Sequence, residues 1–231
     1  MVVPKSIDSG AAASLGEALL VNLGLLALFA VQHTVMARPG FKKAWTRIIP
    51  EPIERSTFVL VASLLLLLLF WQWRPLPAVV WELESGIASL LLWVLFWCGW
   101  VLVFGSSFVI DHFDLFGLRQ VTLFALGRKY TYPTFQVSAF YRFVRHPLLL
   151  GFLIAFWSTP RMTVGHLVFA LAITGYIVMG IQFEERDLVR FHGAPYEAYR
   201  RRVPMLLPRL RMPYTPSAES GTASAQTGVQ K

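Results

Sequence analysis

Apolar residues along this chain are gathered into long blocks, with polar residues concentrated between them. Residues 15–35 are interrupted mainly by Glu17, Asn22, Gln32 and His33. Residues 56–73 contain an unbroken leucine run from 64 to 69, and residues 87–110 carry no charge. Residues 162–183 hold no Asp, Glu, Lys or Arg, and His166 is their one basic side chain. A helix of about 20 apolar residues crosses a hydrocarbon layer ~30 Å thick. Backbone groups in lipid must pair within their own segment, so each block predicts a helix. A fifth block, 148–157, is shorter and as a helix spans about half a bilayer. It either continues backward through 140–145 with Pro147 as a kink, or pairs with the next block as a hairpin. Ser158, Thr159 and Pro160 end it. The expected fold is all-α, an integral membrane bundle of five transmembrane helices. Residues 1–14 read as an N-terminal tail without the apolar region of a cleaved signal, and residues 15–214 as the membrane domain. Ser14 and Glu17 fit a capping box that opens the first helix. Residues 215–231, rich in Ser, Thr, Ala, Gly and Gln, read as a disordered tail.

Charge adds direction to this picture. The first loop holds Arg38, Lys42, Lys43, Arg47 and Arg55, whereas the second holds only Arg74. The third holds Arg119, Arg128, Lys129, Arg142 and Arg145, the fourth only Arg161, and the C-terminal region is again strongly basic. The alternation places the N-terminus outside and the C-terminus in the cytoplasm, which requires an odd number of spans. The net charge of +8 is then topology and contact with membrane lipid head groups. Its division among three loops argues against a nucleic-acid partner, which would need the charge on one soluble face.

Ionisable groups at membrane depth are costly and mark function. Gln32 and His33 lie at the cytoplasmic end of the first span, Glu54 and Arg55 at the start of the second. Asp111, His112 and Asp114 close the third, Arg145 and His146 open the fourth, and Glu184, Glu185 and Asp187 close the fifth. The sequence thus predicts one polar mouth on the cytoplasmic leaflet. Head-group anchoring by Arg55 and Arg145, or an interhelical bond from His33, would account for those residues without chemistry. No His-x-x-x-His pair or comparable chelating set occurs, so no metal is expected. The Gly-x-Ser-x-Gly elbow and phosphate-binding glycine loops are also absent. Cys98, the single cysteine, reads as a packed, inert thiol, and His166 as an interfacial structural residue.

Two linked signatures occupy the C-terminal half. Arg145-His146-Pro147 is followed by Gly151. Glu184-Glu185-Arg186-Asp187-Leu188 leads into His192-Gly193, Tyr196, Tyr199, Val203-Pro204 and Pro208. This pattern, over about 141–208, resembles the integral-membrane methyltransferases related to isoprenylcysteine carboxyl methyltransferase. In the N-terminal half, Gln32-His33 with Met36-Ala37-Arg38, Glu54-Arg55-Ser56 and residues 111–118 resemble the bacterial methanethiol S-methyltransferases of the nurim-like group. Together the resemblance covers about 15–208. One departure is Leu149, where the isoprenylcysteine enzymes usually have Tyr, and it speaks against a prenyl-protein acceptor.

The resemblance implies S-adenosylmethionine as cofactor, a small volatile or lipid-soluble thiol as substrate, and the inner membrane of a bacterium as location. Methanethiol, giving dimethyl sulfide, is the expected acceptor. Alternatives are a non-catalytic nurim-like protein, or a membrane methyltransferase acting on a prenylcysteine or lipid. The implied cofactor residues are Arg145, His146, Pro147, Glu184, Glu185, Tyr196 and Tyr199. Arg145 or His146 suits the cofactor carboxylate, and the glutamates its ammonium or ribose hydroxyls. Pro195 suits the start of a short helix that puts Tyr196 and Tyr199 on one face over the adenine. Methyl transfer is an in-line displacement, and a neutral alkanethiol needs help to lose its proton. The catalytic expectation is His112 as base, oriented by Asp111 or Asp114, with His33 as second choice.

Overall fold

The computed structural model describes residues 5–11, 13–131 and 137–208; the expected tail at 215–231 lies outside them. Four helices are long and apolar enough to cross a membrane. They are α1 (Leu15–Met36), α3 (Glu54–Gln72, extended at its start by a 3-10 turn, Glu51–Ile53), α4 (Ile87–Ile110) and α8 (Val164–His192). Shorter helices are α2 (Pro39–Trp45), α5 (His112–Leu115), α6 (Leu118–Ala125), α7 (Pro147–Trp157) and α9 (Ala194–Arg202). Two strands, β1 (Val79–Glu82) and β2 (Arg161–Thr163), pair antiparallel. Helix α1 begins as expected, with Ser14 Oγ accepting from the Glu17 amide at 3.3 Å. The long helices turn Leu20, Leu67, Trp97, Val101 and Leu171 outward, the face a bilayer would cover.

Helix α1 packs on α3, α4 packs on α7, and α8 touches both pairs. The α4–α7 contact is set by glycine. A Cβ on Gly99 would lie 2.7 Å from the Ala155 nitrogen, and one on Gly151 would lie 2.7 Å from the Gly99 carbonyl oxygen. No other residue permits that approach of two backbones. Because Gly99 faces α7, its neighbour Cys98 is turned away and is exposed, which corrects the expectation of a packed thiol.

The two structural surprises lie at α7 and at the end of the bundle opposite His146. Helix α7 does not extend backward: residues Ala139–Arg142 form a separate 3-10 turn, and Pro147 starts the helix where its missing N–H costs nothing. Beyond Trp157 the chain becomes extended and joins β1, so the fold is mostly helical rather than wholly so. Extended backbone here finds partners elsewhere. The buried Asn22 amide mimics a strand, accepting from Arg74 N at 2.9 Å and donating to Arg74 O at 2.8 Å. Thr163 donates to Asp8 at 2.6 Å, and the Lys5 ammonium reaches the Trp71 carbonyl. The segment before α1 is therefore tied to the bundle.

Candidate functional site

The polar residues singled out above collect at the end of the bundle away from the β1–β2 pair. Helix α8 joins the two sides of that end. Its Asp187 takes Arg38, at the junction of α1 and α2, at 2.9 Å, while Glu184 and Glu185, one turn earlier, face His146.

On the α7–α9 side, backbone pairing docks the segment after α9 onto the start of α7. Arg145 N donates to Pro204 O at 2.9 Å and His146 N to Met205 O at 3.2 Å. The Arg145 guanidinium is spent on the same junction. Its Nε donates to Glu185 Oε1 at 2.6 Å, and its Nη1 to the Arg200 and Val203 carbonyls at 2.8 and 2.6 Å. His146 Nε2 lies 3.2 Å from the same Glu185 oxygen, and Nδ1 lies 3.5 Å from Glu184 Oε2. Burial lowers the His146 pKa, but hydrogen bonds and charge from Glu184 and Glu185 outweigh it, and the net displacement is upward. Glu185 is 8% exposed, and Arg145 Nε and His146 Nε2 both face its Oε1. The Glu184 side chain is 53% exposed and opens to the exterior. Pro147 is fully buried.

Tyr196 and Tyr199 do share one face of α9, and Pro195 lies in its first turn. That face points inward. The two residues are 2% and 3% exposed and pack with Val137 and Val203. Tyr199 Oη donates to the Tyr141 carbonyl at 2.7 Å, and burial raises both phenol pKa values.

On the other side, α4 ends at Asp111, whose φ of 118° is a strained value for a residue with a side chain. Asp111 Oδ1 caps α5 by accepting from Asp114 N at 3.1 Å. Asp111 Oδ2 and Asp114 Oδ1 face Arg119 Nη1 at 3.3 and 3.6 Å, and Tyr130 Oη donates to Asp114 Oδ2 at 3.0 Å. The expected carboxylate behind His112 is therefore not among the described contacts. Both acids are committed to the cap, Arg119 and Tyr130. His112 Nδ1 instead meets Ser107 Oγ at 3.0 Å. The ring stacks on Phe108 at 4.4 Å and is flanked by Phe113 and Phe116. No described residue hydrogen-bonds to its Nε2.

His33 stands near this side among Phe29, Phe58 and Tyr176, with ring centroids 5.3, 4.8 and 6.3 Å away. Its Nδ1 is buried without a hydrogen-bond partner among the described residues. Arg55 lies over Phe58 and donates to the Leu115 carbonyl at 2.8 Å. Ser56 donates to the Gly117 carbonyl at 3.1 Å. These bonds seat the α5–α6 segment on α3. Sequence reasoning missed Ser107, Arg119 and Tyr130. Ser106 and Ser107 were detectable as consecutive hydroxyls within an otherwise apolar span.

Among the described residues, no three His, Cys, Asp or Glu side chains are grouped to hold a metal ion. The donor set does suit S-adenosylmethionine. A ligand with an ammonium, a carboxylate and a ribose diol needs carboxylates beside a cation, as Glu184, Glu185 and His146 are arranged.

The chain is 59% identical over 209 residues to methanethiol S-methyltransferase 2 of Bradyrhizobium diazoefficiens, covering 90% of this chain and 80% of that one. It is 57% identical over 208 residues to the methanethiol S-methyltransferase of Mycobacterium tuberculosis, covering 90% and 85%. A more distant similarity joins it to human nurim, 31% over 175 residues, covering 72% and 66%. No family model matches the chain, and no solved structure matches it.

Proposed function

We propose that this chain, which belongs to the methanethiol S-methyltransferase family, transfers a methyl group from S-adenosylmethionine to methanethiol at the polar end of its bundle, giving dimethyl sulfide. One observation carries this reading: a buried charge cluster and an immobilised imidazole with an open nitrogen share that end. The relatives are named for this activity.

Bound S-adenosylmethionine supplies a methyl group on a cationic sulfur. Residues of the chain do the rest. Glu184 offers its carboxylate at the exposed rim, with the buried His146 imidazole behind it. Arg145 acts at one remove, holding Glu185 and the carbonyls after α9 in place. Pro147 fixes the start of α7 below them. Tyr196 and Tyr199 pin α9 over the site through their packed face. His112 Nε2 accepts the thiol proton as sulfur attacks, because a simple alkanethiol is mostly protonated near neutral pH. Asp111 and Asp114 shape the α4–α5 corner that carries His112. His33, whose Nδ1 has no partner among the described residues, is the second candidate for contact with the thiol.

The chain crosses the inner membrane of a bacterium five times, with its N-terminus outside. Helix α7 rises about 16 Å, and the three residues of β2, reached through a bend at 158–160, add about 10 Å. Together they approach the ~30 Å of a hydrocarbon layer. β1 and the Trp81 indole, which donates to the Thr159 carbonyl, supply partners for that part, as irregular backbone at membrane depth requires. Reporter fusions after Trp81 and after Lys129 are expected on opposite sides; two cytoplasmic readings would overturn the topology.

Turnover is tested with detergent-purified protein, labelled S-adenosylmethionine and a panel of methanethiol, sulfide, prenylcysteine and phosphatidylethanolamine. Label is expected in dimethyl sulfide. Labelled prenylcysteine or lipid would move the acceptor assignment. No transfer to any acceptor by folded protein would favour the non-catalytic nurim-like reading.

A further inference from the structure

Ser107 sits on the last turns of α4, buried, with its Oγ 2.8 Å from the Phe104 carbonyl oxygen and 3.0 Å from His112 Nδ1. A hydroxyl has one proton to donate and two lone pairs. A carbonyl can only accept, so the Ser107 proton goes to Phe104. At its other contact Ser107 Oγ must then accept, and His112 Nδ1 must carry the hydrogen. A neutral imidazole has one N–H. The lone pair therefore lies on Nε2, the nitrogen with no partner among the described residues. Phe108, stacked at 4.4 Å and 12°, and Phe116 at 4.7 Å hold the ring against rotation.

We propose that Ser107 is a positioning residue for methyl transfer, fixing the His112 tautomer in which Nε2 is the base. The proposal rests on the reading of His112 as the group that takes the thiol proton. In that step the S–H bond breaks and its proton goes to Nε2. A thiol sulfur lone pair forms the new bond to the methyl carbon. The old bond from methyl to the cationic sulfur breaks, and its electron pair stays on that sulfur, which becomes neutral. The imidazolium then has two N–H groups, and Nδ1–H keeps the Ser107 oxygen as acceptor throughout. Ser107 thus takes the place at Nδ1 that a carboxylate fills in a catalytic triad. Asp111 and Asp114 cannot, being occupied by the α5 cap, Arg119 and Tyr130. A hydroxyl stabilises the imidazolium less than a carboxylate does.

The test combines nitrogen NMR of histidine-labelled protein with kinetics of Ser107→Ala and Ser107→Thr. The His112 signals are assigned by their loss in His112→Ala. In the parent protein, Nδ1 is expected to be the protonated nitrogen; a parent with the proton on Nε2 overturns the proposal without any variant. Ser107→Ala is expected to mix the tautomers and lower turnover about tenfold, the scale of one hydrogen bond to a charged group. S-adenosylmethionine affinity should be unchanged. Its acid limb in the pH–rate profile should move to lower pH, because the imidazolium has lost an acceptor. Ser107→Thr keeps the hydroxyl and should restore all three readouts. A parental pH profile and tautomer in Ser107→Ala would end the assignment of Ser107 alone. A parental pH profile in His112→Ala would end the base reading instead.

Discussion

The two sides of the polar end treat charge in opposite ways. Around His146, the charged groups are tied to one another: Arg145 to Glu185 and two carbonyls, and His146 to both glutamates. Around His112, the carboxylates are tied up at the rim, and the imidazole is held by one hydroxyl and a set of aromatic rings. A platform for a ligand with charges of both signs gains from rigid, mutually neutralised charge. A group that must take a proton needs one nitrogen left open in a fixed direction. On the proposed reading, the first side binds and the second carries the chemistry.

The largest effect should come from the binding side. Glu185→Ala leaves the largely buried Arg145 guanidinium without its carboxylate. Breaking such a pair costs about 3–5 kcal/mol. Thermal melting in detergent should show a large drop, with little folded protein recovered. Glu185→Gln keeps the shape, and calorimetry should show that it too loses S-adenosylmethionine affinity. Parental melting and binding in both variants would break the contrast at its root.

His112→Ala should do the reverse, lowering turnover by about 10²–10⁴-fold with S-adenosylmethionine affinity and melting close to parental. The defect should shrink as pH rises and with more acidic thiols, since thiolate then forms without a base. A pH–rate profile parallel to the parent's would remove His112 as base and turn attention to His33→Ala.

Long-range features of this division were legible in the sequence, and local ones were not. Hydropathy alone located the four long helices, because lipid leaves the backbone no other partner. Charge placement anticipated that His33, Arg55, His112, His146 and Glu185 would share one end. The pairing of His112 with a carboxylate failed because spacing along a helix cannot foresee a break. The positive φ at Asp111 turns the chain, sends both acids to Arg119 and Tyr130, and leaves the imidazole to Ser107. The block at 148–157 was legible as α7, but β2 was not, for a related reason. A short apolar run ending in Ser-Thr-Pro does not reveal that its extended continuation finds hydrogen bonds in β1, 80 residues earlier in the chain. The tyrosines of α9 kept their predicted spacing, but which way their shared face points is set by Val137 and Val203, which periodicity does not report.

Gly117 tests the seating of the chemical side. Its φ is 78°, and an added Cβ would lie 2.6 Å from the Ser56 nitrogen. Gly117→Ala should cost about 1–3 kcal/mol through strain and displaced packing. It should move the α5–α6 segment away from α3, lowering turnover while leaving S-adenosylmethionine affinity near parental. Equal losses in turnover and affinity would mean that the two sides are not separable through this loop.

The smallest expected effect is a pH dependence that runs in opposite directions on the two sides. His146 has an ordinary value near 6.5, and in the folded protein Glu184 and Glu185 hold it higher. A folded pKa above the unfolded one contributes stability that is fully present below the unfolded value. That contribution is lost as pH rises through the folded value. Melting temperature and S-adenosylmethionine affinity should therefore both decline across a window that starts near pH 6.5 and extends upward. His146→Gln, which cannot titrate, should flatten the decline. Turnover at saturating S-adenosylmethionine should rise over the same window, because the thiolate fraction of the acceptor grows. Measured on one preparation, falling affinity with rising turnover would keep binding and chemistry on separate sides. A parental slope retained in His146→Gln would assign the pH-sensitive charge to another group and leave His146 neutral in the folded protein.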